Sequence, residues 1–264
     1  MIEKTTGVVL DVRPVSETSR LAAWITPDFG KIFTMIKGSQ RPKSAFLGQY
    51  DLFYTCELLF YERTRTNLHI ARECSPLSIR SGLRTHWRAC ACASYAAGLV
   101  DRVCQPGDPQ PEIYDLLNDF LDDLHGPGAA PVSLLWFELR LLAILGLAPR
   151  LRHCAVCGRP RRDSSRPTRF SNARGGLVCR QCEPEPTPDA IVLRPDLLAA
   201  LSALQGTDTV RRSRTLRFSS PQVRQAAQLL GPFLHYHLDT ELRGRDIVLN
   251  LLMEPRQSTR TTIH

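Results

Sequence analysis

Cys154 and Cys157 form one Cys-x-x-Cys pair and Cys179 and Cys182 a second, with Gly158 after the first and Gly175-Gly176 ahead of the other. Four thiolates so arranged are the ligand set of a tetrahedral zinc site, each pair offering two sulfurs across a tight turn. The 21 residues between the pairs, 158–178, slightly exceed the roughly 15–20 usual for such sites. Gly158 can take the left-handed backbone that turns amides toward sulfur. A shell of four sulfurs leaves no open coordination position, so one structural Zn2+ is expected, holding a fold rather than catalysing. His153, beside Cys154, could replace a cysteine, but four thiolates already complete the shell.

Other uses of these cysteines fit less well. A disulfide framework suits a secreted chain, yet Met1-Ile2-Glu3-Lys4-Thr5 has no apolar signal core and nine cysteines is an odd count. A redox Cys-x-x-Cys is normally single and follows a strand in a βαβ unit. Cys56, Cys74, Cys90, Cys92 and Cys104 lack ligand spacing and read as small hydrophobes in a reducing compartment.

Catalytic constellations are missing from the sequence. It contains no Gly-x-x-x-x-Gly-Lys-[Ser/Thr] phosphate loop, no Gly-x-Ser-x-Gly elbow, and neither His-Glu-x-x-His nor His-x-Glu. A zinc hydrolase would need an open metal position and a nearby base, and neither is evident. His235 and His237 lie in a helical pattern, where they cannot share a face as paired ligands. The expectation is a binder, not an enzyme.

Charge points to the class of partner. The 264 residues carry a net charge of +8, the balance of a protein with an acidic partner such as nucleic acid. The excess is concentrated: residues 149–182 hold nine arginines against one acid. An arginine-rich composition explains Arg in place of Lys there, but not the missing acids. A second basic group, Lys37, Arg41 and Lys43, falls within seven residues of a Gly/Pro-containing loop.

The elements that would carry these groups change character along the chain. Residues 6–13, 20–26, 31–37, 52–61 and 67–73 are rich in β-branched and aromatic residues and predict five short strands. Pro27-Asp28-Phe29-Gly30 is a turn in which Pro presets φ and Gly takes a positive one. Five strands in about 75 residues predict a small barrel of the OB type. Trp24, Phe33, Tyr54 and Phe60 could stack on bases, though aromatics on such strands are more often core.

Beyond Ser75 the period becomes helical. Ile113, Leu116, Leu117, Phe120, Leu121 and Leu124 make one stripe, between Pro111 and Gly126. Helices are also predicted over 79–104, 131–146, 195–204 and 221–242. The apolar run 134–148 is broken by Glu138 and Arg140 and is too short to span a bilayer. The expected class is therefore α+β: an N-terminal five-stranded OB-fold barrel, then a mainly helical domain with an embedded four-cysteine zinc module. The expected domains are 1–75 (DNA-binding) and 76–264 (helical), with the zinc module at 149–188.

Several stretches together resemble the RecO family of bacterial recombination mediators. They are Gly7-Val-Val-Leu10, Trp24-Ile-Thr-Pro-Asp-Phe-Gly-Lys31, Lys37-Gly-Ser-Gln-Arg-Pro-Lys-Ser44, Cys154-Ala-Val-Cys-Gly158, Phe170-Ser171, Gly175-Gly-Leu-Val-Cys-Arg-Gln-Cys182 and Phe233-Leu-His-Tyr-His-Leu238. Each is soft alone; their order and spacing over the whole chain carry the resemblance. It implies a protein that binds single- and double-stranded DNA, anneals complementary strands and, with RecR, helps load RecA onto DNA coated by single-strand-binding protein (SSB). It also implies a cytoplasmic, nucleoid-associated location. Lys37, Arg41 and Lys43 match the family's DNA-contacting loop in position, with Arg20, Arg63 and Arg65 as further barrel-edge cations. The resemblance further implies an SSB-tail pocket in the helical domain, which no motif assigns to particular residues; the apolar helices around Arg140 are a guess at its place.

Arg159, Arg161, Arg162, Arg166, Arg169 and Arg174 make a second candidate surface, which would let one protein hold two strands. The competing expectation is a protein adaptor whose basic zinc module docks acidic SSB tails or RecR, with DNA contact incidental.

Overall fold

The computed structural model describes residues 1–63, 66–124, 129–161, 166–183 and 190–254. Five strands, β1 (Ile2–Pro14), β2 (Arg20–Thr26), β3 (Gly30–Ile36), β4 (Thr55–Tyr61) and β5 (Leu68–Ser78), close into a barrel of order β1-β2-β3-β5-β4. All neighbours are antiparallel except β3 and β5, the pattern of an OB-type barrel. The last strand runs to Ser78, five residues beyond the expected end. Trp24 and Phe60 are fully buried inside and Tyr54 nearly so, while Phe33 packs against the neighbouring core. Trp24, Phe33 and Phe60 serve packing.

Val8, Val9 and Leu10 are all buried, although alternate residues of a strand face opposite sides. Both faces of β1 are covered. Val9 points into the barrel with Trp24 and Phe60, while Val8, Leu10, Ala23 and Ile25 join the core of the helical part. That part comprises α1 (Gly82–Thr85), α2 (Trp87–Val103), α3 (Pro111–Leu124), α4 (Pro131–Ile144), α5 (Pro195–Gln205), α6 (Val210–Ser213), α7 (Ser220–Leu238) and α8 (Arg245–Met253). The predicted 79–104 helix is two pieces, α1 and α2, and α7 stops at Asp239, which takes a left-handed conformation. Among the described residues no helix is long and apolar enough to cross a membrane.

Polar clamps fix the barrel to the helices. Arg80 donates to Asp122 Oδ1 (2.7 Å), to the Phe53 carbonyl (2.6 Å) and to Thr55 Oγ1 (2.9 Å), and also to Asn118 Oδ1 (2.8 Å). It thereby ties the start of β4 to α3. Lys31, buried at the end of the turn that Gly30 permits, donates to the Asp101 carbonyl of α2. A Cβ on Gly30 would lie 2.0 Å from the Asp108 carbonyl oxygen, so only glycine allows this approach.

Glu138, which interrupts the most apolar run of the sequence, is 0% exposed on α4, and Arg245 of α8 is 3% exposed. Their forked pairing, 2.6 Å and 2.8 Å, is completed by the Tyr95 hydroxyl, which donates to Glu138 Oε1 at 2.8 Å. Burial works to strip the Arg245 proton, but Glu138 more than offsets it and holds the guanidinium charged. Gly231 of α7 leaves the room: a Cβ there would meet Arg245 Nη1 at 2.8 Å. Removing one member strands a buried charge, so Glu138→Ala should cost about 3–5 kcal/mol in urea unfolding. The double replacement Glu138→Leu/Arg245→Met should cost far less. A loss below about 1 kcal/mol for the single variant would contradict this account.

Candidate metal centre and cationic surfaces

The segment between α4 and α5 folds as a small sheet that sequence periodicity did not reveal. Strands β6 (Thr168–Ser171), β7 (Gly176–Val178) and β8 (Ile191–Leu193) lie in the order β7-β6-β8. Phe170 buries its ring against Phe233 of α7, with centroids 5.7 Å apart, and His237 Nε2 sits 2.9 Å from the Asn172 carbonyl. His237 is thus held by backbone, away from the cysteines. Gly176 lets the chain cross Arg150 closely, since a Cβ would come within 2.5 Å of the Arg150 carbonyl oxygen. That crossing is sealed by the Leu177 amide donating to Arg150 (2.9 Å) and the Ala155 amide donating to Leu177 (2.7 Å).

These bonds bring the two Cys-x-x-Cys turns together. Gly158, at φ 73°, closes the first by donating to the Cys154 carbonyl at 3.0 Å, and the Cys182 amide donates to the Cys179 carbonyl at 3.0 Å. Arg159 ties one turn to the other through Gln181 Oε1. The four sulfurs lie within 4.8 Å of one another, and Cys157 and Cys179 Sγ are 3.8 Å apart. A tetrahedron with metal–sulfur bonds of about 2.3 Å has edges of about 3.8 Å.

The donor chemistry agrees with the geometry. Burial raises the Cys154 thiol, but backbone amides of Cys157, Cys179 and Val156 outweigh it and hold the group at about 6. Cys182 is pushed up to about 12, first by hydrogen bonding to the Cys179 and Cys157 sulfurs. One sulfur is poised as a thiolate while its neighbours crowd another into keeping its proton, a conflict that a bound cation removes. This cluster could hold a metal ion. The remaining cysteines take no part: Cys56, Cys74, Cys92 and Cys104 are buried, and burial raises Cys104 to about 11.

The predicted cations fall into separate groups. Lys37, Arg41 and Lys43 are exposed on the β3–β4 connection, with no carboxylate partner among the described residues. Arg20 joins them, because its neighbours anchor that loop: the Gly38 amide donates to Ser19 Oγ (3.3 Å) and the Gln40 amide to the Thr18 carbonyl (3.0 Å). Arg63 is exposed but follows β4, and the strand directions place it at the opposite end of the barrel. Arg65 and Arg162 lie outside the described residues.

In the cysteine module, Arg161 and Arg169 donate to the Arg166 and Glu183 carbonyls. Arg174 is exposed, as are Arg159 and Arg166. Arg159 and Arg174 have no carboxylate partner among the described residues. Segment-wide charge counting missed another group. No acid occurs from 209 to 238, and Arg211, Arg217 and Arg224 there are exposed, while Arg214 is paired with Asp123 at 2.6 Å.

A closed OB-type barrel, clamped to a helical body that carries an inserted four-cysteine cluster, defines the class of the chain. Sequence profiles described as "Recombination protein O N terminal" and "Recombination protein O C terminal" match residues 1–80 and 84–246. The chain is 33% identical over 243 residues to the DNA repair protein RecO of Anaeromyxobacter sp. (strain K), covering 92% of this chain and 94% of that one. It is 28% identical to that of Syntrophus aciditrophicus (93% and 94%), and 29% identical to that of Moorella thermoacetica (92% and 88%). The chain belongs to the RecO family of DNA repair proteins.

Proposed function

We propose that the chain is a non-enzymatic, DNA-binding recombination mediator. It binds single- and double-stranded DNA, anneals complementary strands and, with RecR, assists RecA loading onto SSB-coated DNA in the cytoplasm. The observation that carries this reading is the set of exposed cations Lys37, Arg41 and Lys43, without a carboxylate partner among the described residues, beside Arg20 in a chain of the RecO family. Cations without carboxylate partners keep their charge available for phosphates and release counterions when they bind. The barrel, read as domain 1–75, holds one strand. In the domain 76–264, the module at 149–188 offers arginines to another, and one structural Zn2+ on Cys154, Cys157, Cys179 and Cys182 keeps that module folded. Because phosphate contacts carry no sequence information, binding is indifferent to sequence.

The test is annealing of complementary strands precoated with SSB, followed by fluorescence transfer. The protein should speed it at low salt and lose the effect steeply as salt rises. Absence of DNA binding even at low ionic strength would defeat the proposal.

A groove favours a second reading. A cleft of about 590 Å3 beside Cys154 and Cys179 combines Arg159 and Arg180 with the apolar Leu177, Val178 and Val192. Arginines around an apolar floor suit an acidic peptide with an apolar end, such as an SSB tail, or a RecR surface. If Arg159→Glu/Arg180→Glu weakens binding of an acidic SSB-tail peptide and leaves DNA binding unchanged, the module is an adaptor.

A further inference from the structure

A second cavity lies where the β3–β4 loop meets the barrel and α1. It measures about 370 Å3 and is walled by Phe46, Tyr50 and Tyr54, with Arg20, Gln40 and Asp51 among its polar groups. That is the small end of the roughly 300–1,000 Å3 typical of ligand clefts. The cavity is a built site. Arg84 lies over the Tyr54 ring, 5.2 Å from its centre, and donates to the Tyr54 hydroxyl (2.7 Å) and to Asp51 Oδ2 (2.6 Å). Tyr50 is only 9% exposed, and its buried hydroxyl has no hydrogen-bond partner among the described residues. A buried hydroxyl left unpaired is costly, and each such group in a folded protein calls for an occupant or a reason.

We infer that this pocket takes one unstacked nucleobase of a bound single strand. The inference rests on the proposed DNA-binding function and deepens it from the backbone to the base. Phe46, Tyr50 and Tyr54 stand along the cavity as stacking partners, and Gln40 and Arg20 offer edges for hydrogen bonds. The Tyr50 hydroxyl, closed off in this structure, gains its partner when an entering base displaces Arg84. A phosphate is the wrong occupant, because Asp51 would repel it and Arg84 is already neutralised by Asp51. The exposed Lys37, Arg41 and Lys43 lie outside, on the same loop, where the phosphates flanking an inserted base would run. The loop therefore does two jobs: its outer cations grip the backbone and its inner aromatic residues take a base.

The test compares two strands of equal length and charge, one normal and one made wholly of abasic tetrahydrofuran residues, binding to the full chain. The normal strand should bind at least about fivefold tighter. Tyr50→Phe should weaken the normal strand about three- to tenfold, leave the abasic strand and the salt slope unchanged, and not lower the melting temperature. Leu47→Trp, at an exposed position on the pocket wall, should fill the cavity and abolish the advantage of the normal strand. Equal binding of both strands by the unaltered protein would overturn the inference. So would a Tyr50→Phe loss shared by both strands, or a fall in melting temperature, since either would mean that the hydroxyl serves the fold. If neither strand binds, the DNA-binding proposal itself falls, and the base pocket with it.

Discussion

Reversing Lys37, Arg41 and Lys43 to glutamate is expected to flatten the salt dependence of DNA binding as well as weaken it. Each phosphate contact contributes about 0.7 to the logarithmic salt slope on single strands and about 0.9 on duplex. Loss of three contacts should therefore reduce the slope by about 2 on single strands and by almost 3 on duplex. The effect should be the same on unrelated sequences, since these side chains would touch backbone only. The change is free of a folding penalty because all three side chains are exposed and bond to no carboxylate among the described residues. Anisotropy titrations from low to moderate salt measure it directly. An unaltered slope would remove this loop from the DNA interface, even if affinity fell. Arg63→Glu is the internal comparison: it lies at the other end of the barrel, so its contribution should add to that of the loop.

The second large effect concerns the cysteine cluster. Replacing Cys154 and Cys179 with alanine should abolish metal binding, because one ligand is lost from each turn and two sulfurs cannot hold the ion alone. Structural zinc contributes about 10–16 kcal/mol in small zinc-folded peptides. Here part of the module is held independently, by Phe170 against Phe233 and by the three-stranded sheet. The expected result is local: the two turns lose protection from hydrogen exchange while the barrel keeps its own. Thiol titration of the unaltered protein gives a sharper reading. With metal bound, Cys157 should be unreactive despite its exposure, and chelation should release four additional thiols. Elemental analysis finding no zinc, together with prompt reaction of Cys157, would contradict the assignment.

Much of the site was legible because it was local. The Cys-x-x-Cys spacing and Gly158 specify each turn, whatever the rest of the chain does. The barrel strands could be read from β-branched runs and the Pro27–Gly30 turn, and the helices from their apolar stripes. The parts that escaped notice depend on contacts across the chain. Strands β6, β7 and β8 have four residues or fewer, too few for a period of two to stand out. Helix α8 is nine residues long and is anchored by Arg245 on Glu138, 107 positions away. Glu138 read as an interruption of an apolar run, since nothing local announces a partner so distant. The Tyr50 pocket is similar. Arg84 reaches Asp51 and Tyr54 only because α1 folds back on the loop. The arginines at 211, 217 and 224 were hidden by averaging over a longer segment whose acids lie at its ends.

The double-sided burial of β1 bears on how such a protein can change over time. Its outward residues Val8 and Leu10, with Ala23 and Ile25 of β2, are as sheltered as those facing the barrel axis. Cut free, the barrel would carry a greasy flank into water, so it is no detachable module. A chimera that borrows the barrel of one relative must borrow the matching faces of α2 and α3 as well, or the seam will not close. The two halves are thus bound to be inherited together, and recombination between family members should succeed at the exposed turns of the cysteine insert far more readily than at the junction near Arg80.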